Sequence, residues 1–419
     1  MNITDNIFKG DKVIWLIFIA LCSISLIKVF SASSHLSFGK SHWIPISQHA
    51  FYMLLGWIVV FVTHNIPYKY FKAIPLGLLP ISLVLLVVVM FMPKTNGASR
   101  FINFFGVQFQ PSELAKMAMV LLTANILSVT QAGEHAKPIA FKLIMFSASI
   151  VCLLIFPENF STAMLLFGTI FLMMFVGRVE LKKLAMTVVL LGGALILFLL
   201  FLKLTPDGTL DKIPMGHRFI TWKHRISTSE RVPAAKYDIW GKGAQKGYAS
   251  IAIARSHIMG KGPGNSVERD FLSQAYSDFI YAIIIEELGL VGGFCVMALY
   301  IWLLWRIGKL AKKCDRSYPM FLIVGIGLLF ATQALFNMMV AVGLAPVTGQ
   351  PLPLISRGGT SMMINCVYIG MILSVSRYIA AEEEKKRMAA QNVIEESASE
   401  AQVIEQPDVR ILNIDEELV

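Results

Sequence analysis

The pattern of apolar and polar positions along this 419-residue chain is a series of long hydrophobic runs separated by polar stretches. Runs of about 18 or more apolar residues are long enough for a helix to cross a bilayer core of roughly 30 Å. The runs are continuous and do not alternate, which indicates helices and not the strands of a barrel. We predict an all-α, polytopic membrane protein with about ten spans, at 13–32, 46–64, 73–92, 112–129, 142–157, 160–177, 184–204, 277–305, 320–344 and 361–380.

Two regions interrupt this pattern. The polar segment from about 205 to 276, between the seventh and eighth spans, predicts one large external loop, and a loop this long is usually functional or contains short elements of its own. Residues 1–12 form a short N-terminal segment before the membrane domain at 13–380. The tail at 381–419 is acidic and has little apolar periodicity, which is typical of a disordered segment.

Composition and charge agree with membrane insertion and set an orientation. With 56% hydrophobic and only 15% charged residues, a soluble domain of this chain would expose far too much apolar surface. The net charge of +10 comes largely from basic loops, so we predict no nucleic-acid partner. One alternate set of short loops is rich in Lys and Arg, whereas the other holds only Lys40, Lys94, Arg100 and Arg357. The positive-inside rule therefore predicts cytoplasmic N- and C-termini.

The stretch NGASRFINFFGVQFQPSELAK, from Asn96 to Lys116, combines turn formers with charges near a span. Ser112 is a fair helix cap after Pro111, and Glu113 and Lys116 follow at i,i+3 on one helix face. Because ionisable residues at membrane depth are costly, a functional interpretation is the default. Two interpretations remain: an ion pair at a helix start, or a polar face that lines a cavity open to the outside.

The predicted external loop is basic, with eleven Lys or Arg against six Asp or Glu between 205 and 274. Within GHRFITWKHR, Arg218 and Arg225 suit a phosphate or pyrophosphate, because guanidinium groups match its oxygens. The motif GKGPGNS, which ends at Ser266, is a glycine-rich loop that can cradle an anion with backbone amides. No Lys-Ser or Lys-Thr pair follows its last glycine, so it is not a nucleotide P-loop.

Prolines and glycines in GQPLPLISRGGTS, from Gly349 to Ser361, prevent a regular helix. Irregular backbone at membrane depth is tolerated where it packs in protein or lines a cavity. A second external turn, PENFSTA, carries Glu158, for which simple solvation is the plainer interpretation.

Three carboxylates lie in the apolar stretch QAYSDFIYAIIIEELGLVGG: Asp278, Glu286 and Glu287. On a helix, Glu286 would lie about 80° round and about 12 Å along from Asp278, and Glu287 would point about 180° away. This separation argues against a two-carboxylate glycosidase. Asp278 is predicted in the first helical turn at the outer surface, either as a reactive acid or as an acid favoured by the helix dipole. We expect structural partners for Glu286 and Glu287.

These motifs together resemble the SEDS family (shape, elongation, division and sporulation), and the match extends from about Lys12 to Arg377. The stretches FQPSELAKMAMV and GPGNSVERDF resemble the division members more than the elongation members. The resemblance implies a ten-span protein that polymerises glycan strands from lipid II with a class B penicillin-binding protein transpeptidase. It further implies other divisome membrane proteins as partners and a location in the bacterial inner membrane at the septum.

Residue by residue, the family's essential acid falls on Asp278, and its external Pro-Ser-Glu and Lys positions fall on Pro111, Ser112, Glu113 and Lys116. Three positions depart from the family pattern. Arg357 stands where a tyrosine is frequent, Tyr276 where histidine is frequent, and Asn159 where aspartate is common.

In the implied reaction a sugar 4-hydroxyl attacks the anomeric carbon of the growing chain and a lipid pyrophosphate leaves. That chemistry needs one base, and cations or a divalent metal at the pyrophosphate. Asp278 is our candidate for the base or for the holder of a Mg²⁺ or Mn²⁺ ion. Our candidates for substrate binding are Arg100, Gln110, Ser112, Glu113, Lys116, Arg218, Arg225, Asn265, Ser266, Ser356, Gly358 and Gly359. The alternatives are a lipid II flippase without chemistry, an elongation-type polymerase and a pure scaffold of the septal machinery.

Overall fold

The computed structural model describes residues 9–32, 43–92, 101–104, 107–133, 135–210, 216, 219–220, 222–223, 244–272 and 275–404. Ten long helices dominate this part of the chain. They are α1 (Lys12–Ala32), α2 (Trp43–Asn65), α3 (Ile74–Met90), α4 (Pro111–Thr130), α5 (Pro138–Ile155), α6 (Phe160–Val176), α7 (Leu181–Leu204), α8 (Ile280–Lys312), α9 (Ser317–Ala341) and α10 (Gly359–Ile404).

Each of the ten helices coincides with a predicted span, which confirms the all-α, polytopic fold class. Eight of them are long and apolar enough to cross a membrane, and α3 and α6 are shorter apolar helices of 17 residues each. The connections contain two small antiparallel hairpins. One joins β1 (Ile102–Phe104) to β2 (Val107–Phe109) before α4, and the other joins β3 (Gln131–Ala132) to β4 (His135–Ala136) before α5.

The helices differ in how much of their surface is buried by their neighbours. The most extensive contacts join α2 with α10, α8 with α9, and α3 with α4. In α4 and α10, 67% and 78% of the residues in the apolar window are buried, so these helices form the centre of the bundle. In α7 only 6% are buried although its mean hydropathy is 2.7, so nearly its whole surface suits contact with lipid tails.

The helices alternate in direction, so the connections collect at two ends of the bundle. We call the end with the segment 205–279 and the turn 342–358 the site end. The other end carries the connections 66–73, 131–137, 177–180 and 313–316, and we call it the basic end. Asp11 links two helices there: its carboxylate accepts from the amides of Val13 and Ile14 at the start of α1 and lies 2.5 Å from Arg306 of α8.

The predicted loop contains short elements, as we expected. The described parts include helices at Asp207–Leu210 and Ala244–Ala254 and a 3₁₀ turn at Glu268–Asp270. The Ala244–Ala254 helix packs against α8.

The C-terminal tail departs from the prediction. Helix α10 continues to Ile404, so residues 381–404, which we expected to be disordered, are helical. Low hydrophobicity argues against a packed core but not against a helix, and Ala, Glu, Lys and Met are strong helix formers. Two ion pairs join this extension to the connection after α8: Lys313 with Glu383 at 2.9 Å and Lys386 with Asp315 at 2.8 Å. The remainder of the tail lies outside the described residues.

Candidate active site

Asp278 lies at the site end in a turn that directly precedes α8. The helix begins at Ile280, so Asp278 stands two residues before it and not in its first turn. Its side chain is half-buried, and the Ser277 hydroxyl donates to Asp278 Oδ1 at 3.1 Å. The Asp278 carboxylate is therefore positioned at the site end by a contact with its neighbour in the chain.

Three consecutive carbonyl groups hold the Asp278 turn in place. The Tyr276 carbonyl accepts from the amide of Arg357 at 3.0 Å, and the Ser277 carbonyl accepts from the Ser356 hydroxyl at 2.7 Å. The Asp278 carbonyl accepts from Asn337 Nδ2 at 3.0 Å. We call these three hydrogen bonds the carbonyl clamp. The irregular turn 342–358 supplies two of its donors, so proline and glycine breaks in this segment serve to position Asp278.

The clamp continues toward the neighbouring helix α6. Asn337 Nδ2 also donates to the Gln350 carbonyl at 2.8 Å, and Gln350 Nε2 donates to the Thr162 hydroxyl at 2.6 Å. Asn159 caps α6 by accepting from the amide of Thr162 at 3.2 Å. The asparagine at this position thus has a capping role that needs no negative charge.

Sequence reasoning missed Asn337 and Gln350. A signal was present, because Asn337 and Gln333 are polar residues at i,i+4 in the otherwise apolar α9. Gln333 Nε2 likewise donates to the turn 342–358, at the Pro351 carbonyl. Two polar side chains one turn apart in a span indicate a shared polar partner.

Two of the three departures from the family pattern contact each other. The guanidinium of Arg357 lies 5.6 Å from the ring centroid of Tyr276, and its Nη2 donates to Gln48 at 3.1 Å. Burial lowers the pKa of Arg357, and the nearby Tyr276 and Tyr52 side chains oppose that shift. Arginine still stays protonated at neutral pH. A cation therefore stands beside the clamp, stacked on an aromatic ring.

The start of α4 contains the predicted ion pair. Lys116 Nζ lies 2.7 Å from Glu113 Oε1, and both side chains are buried. Gln110 Nε2 donates to the Ser112 hydroxyl at 3.0 Å. Gln110 and Ser112 also line a small cavity with the turn at Asn159. The ion-pair interpretation of Glu113 and Lys116 is thus confirmed, while their predicted contact with substrate stays a prediction.

An apolar cavity of about 200 Å³ lies at the same end, between α6, α7 and the end of α9. Its walls include Asn159, Phe160, Met164, Phe198, Trp222 and Val347. Trp222 packs edge-on against Phe156 and Phe198, with ring centroids 5.3 and 5.9 Å away. The loop aromatics therefore close a hydrophobic space between two spans.

Glu286 and Glu287 have structural partners, as we expected. Glu287 lies 2.5 Å from Lys28 of α1, with both side chains fully buried, and it also accepts from the Ser31 hydroxyl. Glu286 lies 2.6 Å from Lys261 and accepts from Ser266 at 2.5 Å. Neither carboxylate is part of the Asp278 turn.

The glycine-rich loop packs against a break in α8, and its predicted role as an anion cradle stays a prediction. The backbone of Gly289 is non-helical, with φ 73° and ψ −175°. The amides of Lys261 and Gly262 donate to the carbonyls of Glu286 and Glu287 at 3.0 and 2.8 Å. A Cβ on Gly289 would lie 2.0 Å from the Ile258 carbonyl oxygen, so only glycine fits here.

The remaining substrate-binding candidates divide into three groups. Ser266 is buried and donates to Glu286 of α8, and Asn265 donates to the Lys261 carbonyl at 3.0 Å, so both side chains have partners within the protein. Gly359 begins α10 and Gly358 directly precedes it, and a Cβ on Gly359 would lie 3.4 Å from the ring of Tyr52. Three candidates lie outside the described residues: Arg100, Arg218 and Arg225.

The donor set at Asp278 limits how a metal ion could bind. Among the described residues, no group of three or more His, Cys, Asp or Glu side chains is close enough to hold a metal. Mg²⁺ is commonly bound by one or two carboxylates together with substrate phosphates and waters. Asp278 would supply one carboxylate ligand to such a cation, and the involvement of a cation stays a prediction.

The fold and the site together define a polytopic helical membrane protein with a positioned carboxylate at the site end of the bundle, which also contains an apolar cavity. The chain belongs to the FtsW/RodA/SpoVE family of cell cycle proteins, whose model matches residues 11–381. This membership confirms the resemblance that the motifs indicated.

Individual relatives extend over most of the chain. A "Probable peptidoglycan glycosyltransferase FtsW" from Coxiella burnetii is 30% identical over 370 residues, covering 85% of this chain and 94% of the relative. Its namesake from Enterococcus hirae is 27% identical over 391 residues, covering 90% and 96%. The fold is similar to that of RodA, the rod shape determining protein of Thermus thermophilus, with a TM-score of 0.60, 20% identity and coverage of 89% and 98%. A chain of a peptidoglycan synthase complex gives a TM-score of 0.68 at 23% identity, covering 88% and 98%.

Proposed function

We propose that this protein is a peptidoglycan glycosyltransferase that polymerises glycan strands from lipid II. The observation that carries the proposal is the carbonyl clamp, which holds Asp278 at the site end of a chain of this family. The relatives named above carry the name peptidoglycan glycosyltransferase, which supports the reaction class. In this proposal the basic end faces the cytoplasm, as the positive-inside rule favours, and both termini therefore lie in the cytoplasm.

Asp278 is the general base in this proposal. It removes the proton from the 4-hydroxyl of lipid II while that oxygen forms a bond to the anomeric carbon of the growing chain. The bond from that carbon to the lipid pyrophosphate breaks on the opposite side, so the configuration inverts. A base held before the substrate arrives needs little reorganisation during the reaction, and the clamp provides this preorganisation.

The leaving pyrophosphate needs positive charge. Arg357 is one candidate cation, and its backbone amide belongs to the carbonyl clamp. Lys116, which pairs with Glu113, is a second candidate at the site end. Arg100, Arg218 and Arg225 complete the proposed set on sequence grounds. A divalent cation shared between Asp278 and the pyrophosphate would supply further charge at the same position. The apolar cavity beside Trp222 suits part of the lipid chain.

The test uses purified protein with a class B penicillin-binding protein, labelled lipid II and gel analysis of the glycan strands. We expect Asp278→Asn to slow polymerisation by on the order of 100-fold or more, because general base catalysis contributes that much. Asp270→Asn is the matched control, since Asp270 is a half-exposed carboxylate of the same loop outside the clamp. Thermal unfolding should be alike for both variants. Equal rates for Asp278→Asn and wild type would refute the proposed role.

A flippase remains the second candidate, and the buried Glu113–Lys116 pair in α4 favours it, because such pairs mark transport pathways in membranes. Proteoliposomes with fluorescent lipid II distinguish the two functions. Transport moves the headgroup across the bilayer and leaves lipid II intact, whereas polymerisation releases the lipid pyrophosphate. Headgroup movement without release would overturn the glycosyltransferase proposal.

We further propose that the protein acts at the division septum with other divisome membrane proteins. Both curated relatives named above are FtsW proteins, which supports division over elongation. Depletion in the source cell distinguishes the two roles, because loss of a division polymerase gives filaments and loss of an elongation polymerase gives round cells. Rounding would place the protein in the elongation branch.

A further inference from the structure

We propose that the basic end carries a binding site for the phosphate headgroup of an anionic phospholipid. The site is a cavity of about 480 Å³ formed by the Tyr68–Lys72 turn, the last turn of α4 and the start of α9. We call it the basic-end cavity. It is separate from the Asp278 site, which lies at the other end of the bundle, and its occupancy does not depend on the proposed reaction.

The charges that line the basic-end cavity are almost all positive. Lys69, Lys72 and Arg316 come from two different connections and converge on it. One acid, Asp315, also lines the cavity, but both of its carboxylate oxygens accept from Lys386, at 2.9 and 2.8 Å. No carboxylate in the described part of the chain forms an ion pair with Lys69, Lys72 or Arg316. The cavity thus keeps an excess of cationic charge that suits a phosphate.

Buried aromatic packing holds the two connections together. The rings of Tyr68 and Tyr318 stack with centroids 6.5 Å apart, and Lys72 Nζ lies 5.0 Å from the centroid of the Tyr318 ring. Both tyrosines are at least 96% buried, since 4% and 2% of their surfaces are exposed. The cation Lys72 is therefore positioned by a rigid ring and not carried on a free loop.

The surroundings favour a lipid over a soluble phosphate. Val129 lines the cavity and is 72% exposed, and Leu76, one turn after Lys72, is 71% exposed. Exposed apolar side chains beside cations match a ligand whose phosphate is attached to acyl chains. The positive-inside rule accounts for basic residues at this end, but it does not require them to converge on one cavity whose acid is already neutralised.

The experiment measures lipid binding to the full-length protein in zwitterionic detergent by native mass spectrometry. Phosphatidylglycerol and cardiolipin are titrated against phosphatidylcholine, and inorganic phosphate is titrated separately. The cavity variant is Lys69→Gln/Lys72→Gln/Arg316→Gln. A matched control removes three exposed basic residues that lie at the same end but outside the cavity, one in the connection before α5 and one each near the starts of α5 and α7: Lys137→Gln/Lys142→Gln/Lys182→Gln.

We expect the cavity variant to bind phosphatidylglycerol at least about tenfold more weakly than wild type, because it removes all three cations that converge on the proposed phosphate position, whereas the control cations lie outside the cavity. The control variant should bind phosphatidylglycerol almost as well as wild type does. Phosphatidylcholine should bind equally to wild type and to both triple variants. Equal binding by the two triple variants would overturn the proposal. If inorganic phosphate competes as strongly as the lipid, the ligand is a soluble phosphate and the lipid assignment is wrong. Should the triple variant unfold, Arg316→Gln alone must show the same directional loss.

Discussion

Removal of the buried cation Lys28 should destabilise the bundle far more than removal of an exposed one. Lys28 and Glu287 are both fully buried and lie 2.5 Å apart, and they join α1 to α8 just before the break at Gly289. The substitution Lys28→Met keeps much of the side-chain volume but leaves the Glu287 carboxylate without its counter-ion. The Glu287 carboxylate, next to the break in α8 and to the loop that packs on it, would then be a buried charge without a counter-ion.

The magnitude follows from burial. Removal of one partner from a buried ion pair costs about 3–5 kcal/mol. The Ser31 hydroxyl still donates to Glu287, so we expect a value near the lower limit, about 3 kcal/mol. Replacement of both partners in Lys28→Met/Glu287→Met removes the unpaired charge and should recover most of the loss, because apolar replacements of buried pairs are often neutral.

The assay is unfolding of the purified protein with increasing fractions of a denaturing detergent, followed by fluorescence of its seven tryptophans. Lys183→Met is the matched control, because Lys183 pairs with Glu180 at 2.8 Å with both side chains partly exposed. An exposed pair contributes about 0–1 kcal/mol. If Lys28→Met costs no more than Lys183→Met, or if the double variant is no more stable than Lys28→Met, the reasoning from burial is wrong.

Three further predictions concern the site end. Gly289→Ala should lower the unfolding midpoint and expose the loop to protease, because the new Cβ would lie 2.0 Å from a carbonyl oxygen. The control Gly192→Ala in α7 should change neither property, because a Cβ there has no atom within 4 Å. Asn337→Ala should cost about 1–3 kcal/mol, since it removes two hydrogen bonds, and should slow glycan synthesis; normal synthesis would show that the clamp is dispensable. If a shared cation acts through Asp278, chelation of divalent cations should slow polymerisation by wild type and should not slow the Asp278→Asn variant further. An equal fractional loss of rate in both proteins would place the cation elsewhere.

Much of the fold follows from local properties of the sequence. Apolar runs predicted all ten long helices, because the length needed to cross a bilayer and the satisfaction of backbone hydrogen bonds within a helix act on each segment separately. The tail was the exception. Residues 381–404 lack a hydrophobic pattern, yet strong helix formers and two ion pairs to the preceding connection extend α10 through them.

The site was predictable only in part. The sequence alone singled out Asp278, because apolar residues follow it and a basic loop precedes it. The groups that hold it could not be identified this way, since Asn337 lies 59 positions away along the chain and a polar residue in a span does not reveal its partner.

The sequence by itself determined which segments form the long apolar helices and which carboxylate lies near the start of the eighth, because hydrophobicity and charge act through the residues' own transfer energies. The tertiary structure alone decided that Glu287 neutralises Lys28, that the glycine-rich loop packs on a broken helix, and that the turn 342–358 and Asn337 together bind the three carbonyls of the Asp278 turn. These contacts join residues up to 259 positions apart, as for Lys28 and Glu287. Hydrogen bonds and ion pairs are short-ranged and directional, so their partners are fixed only when the helices have packed.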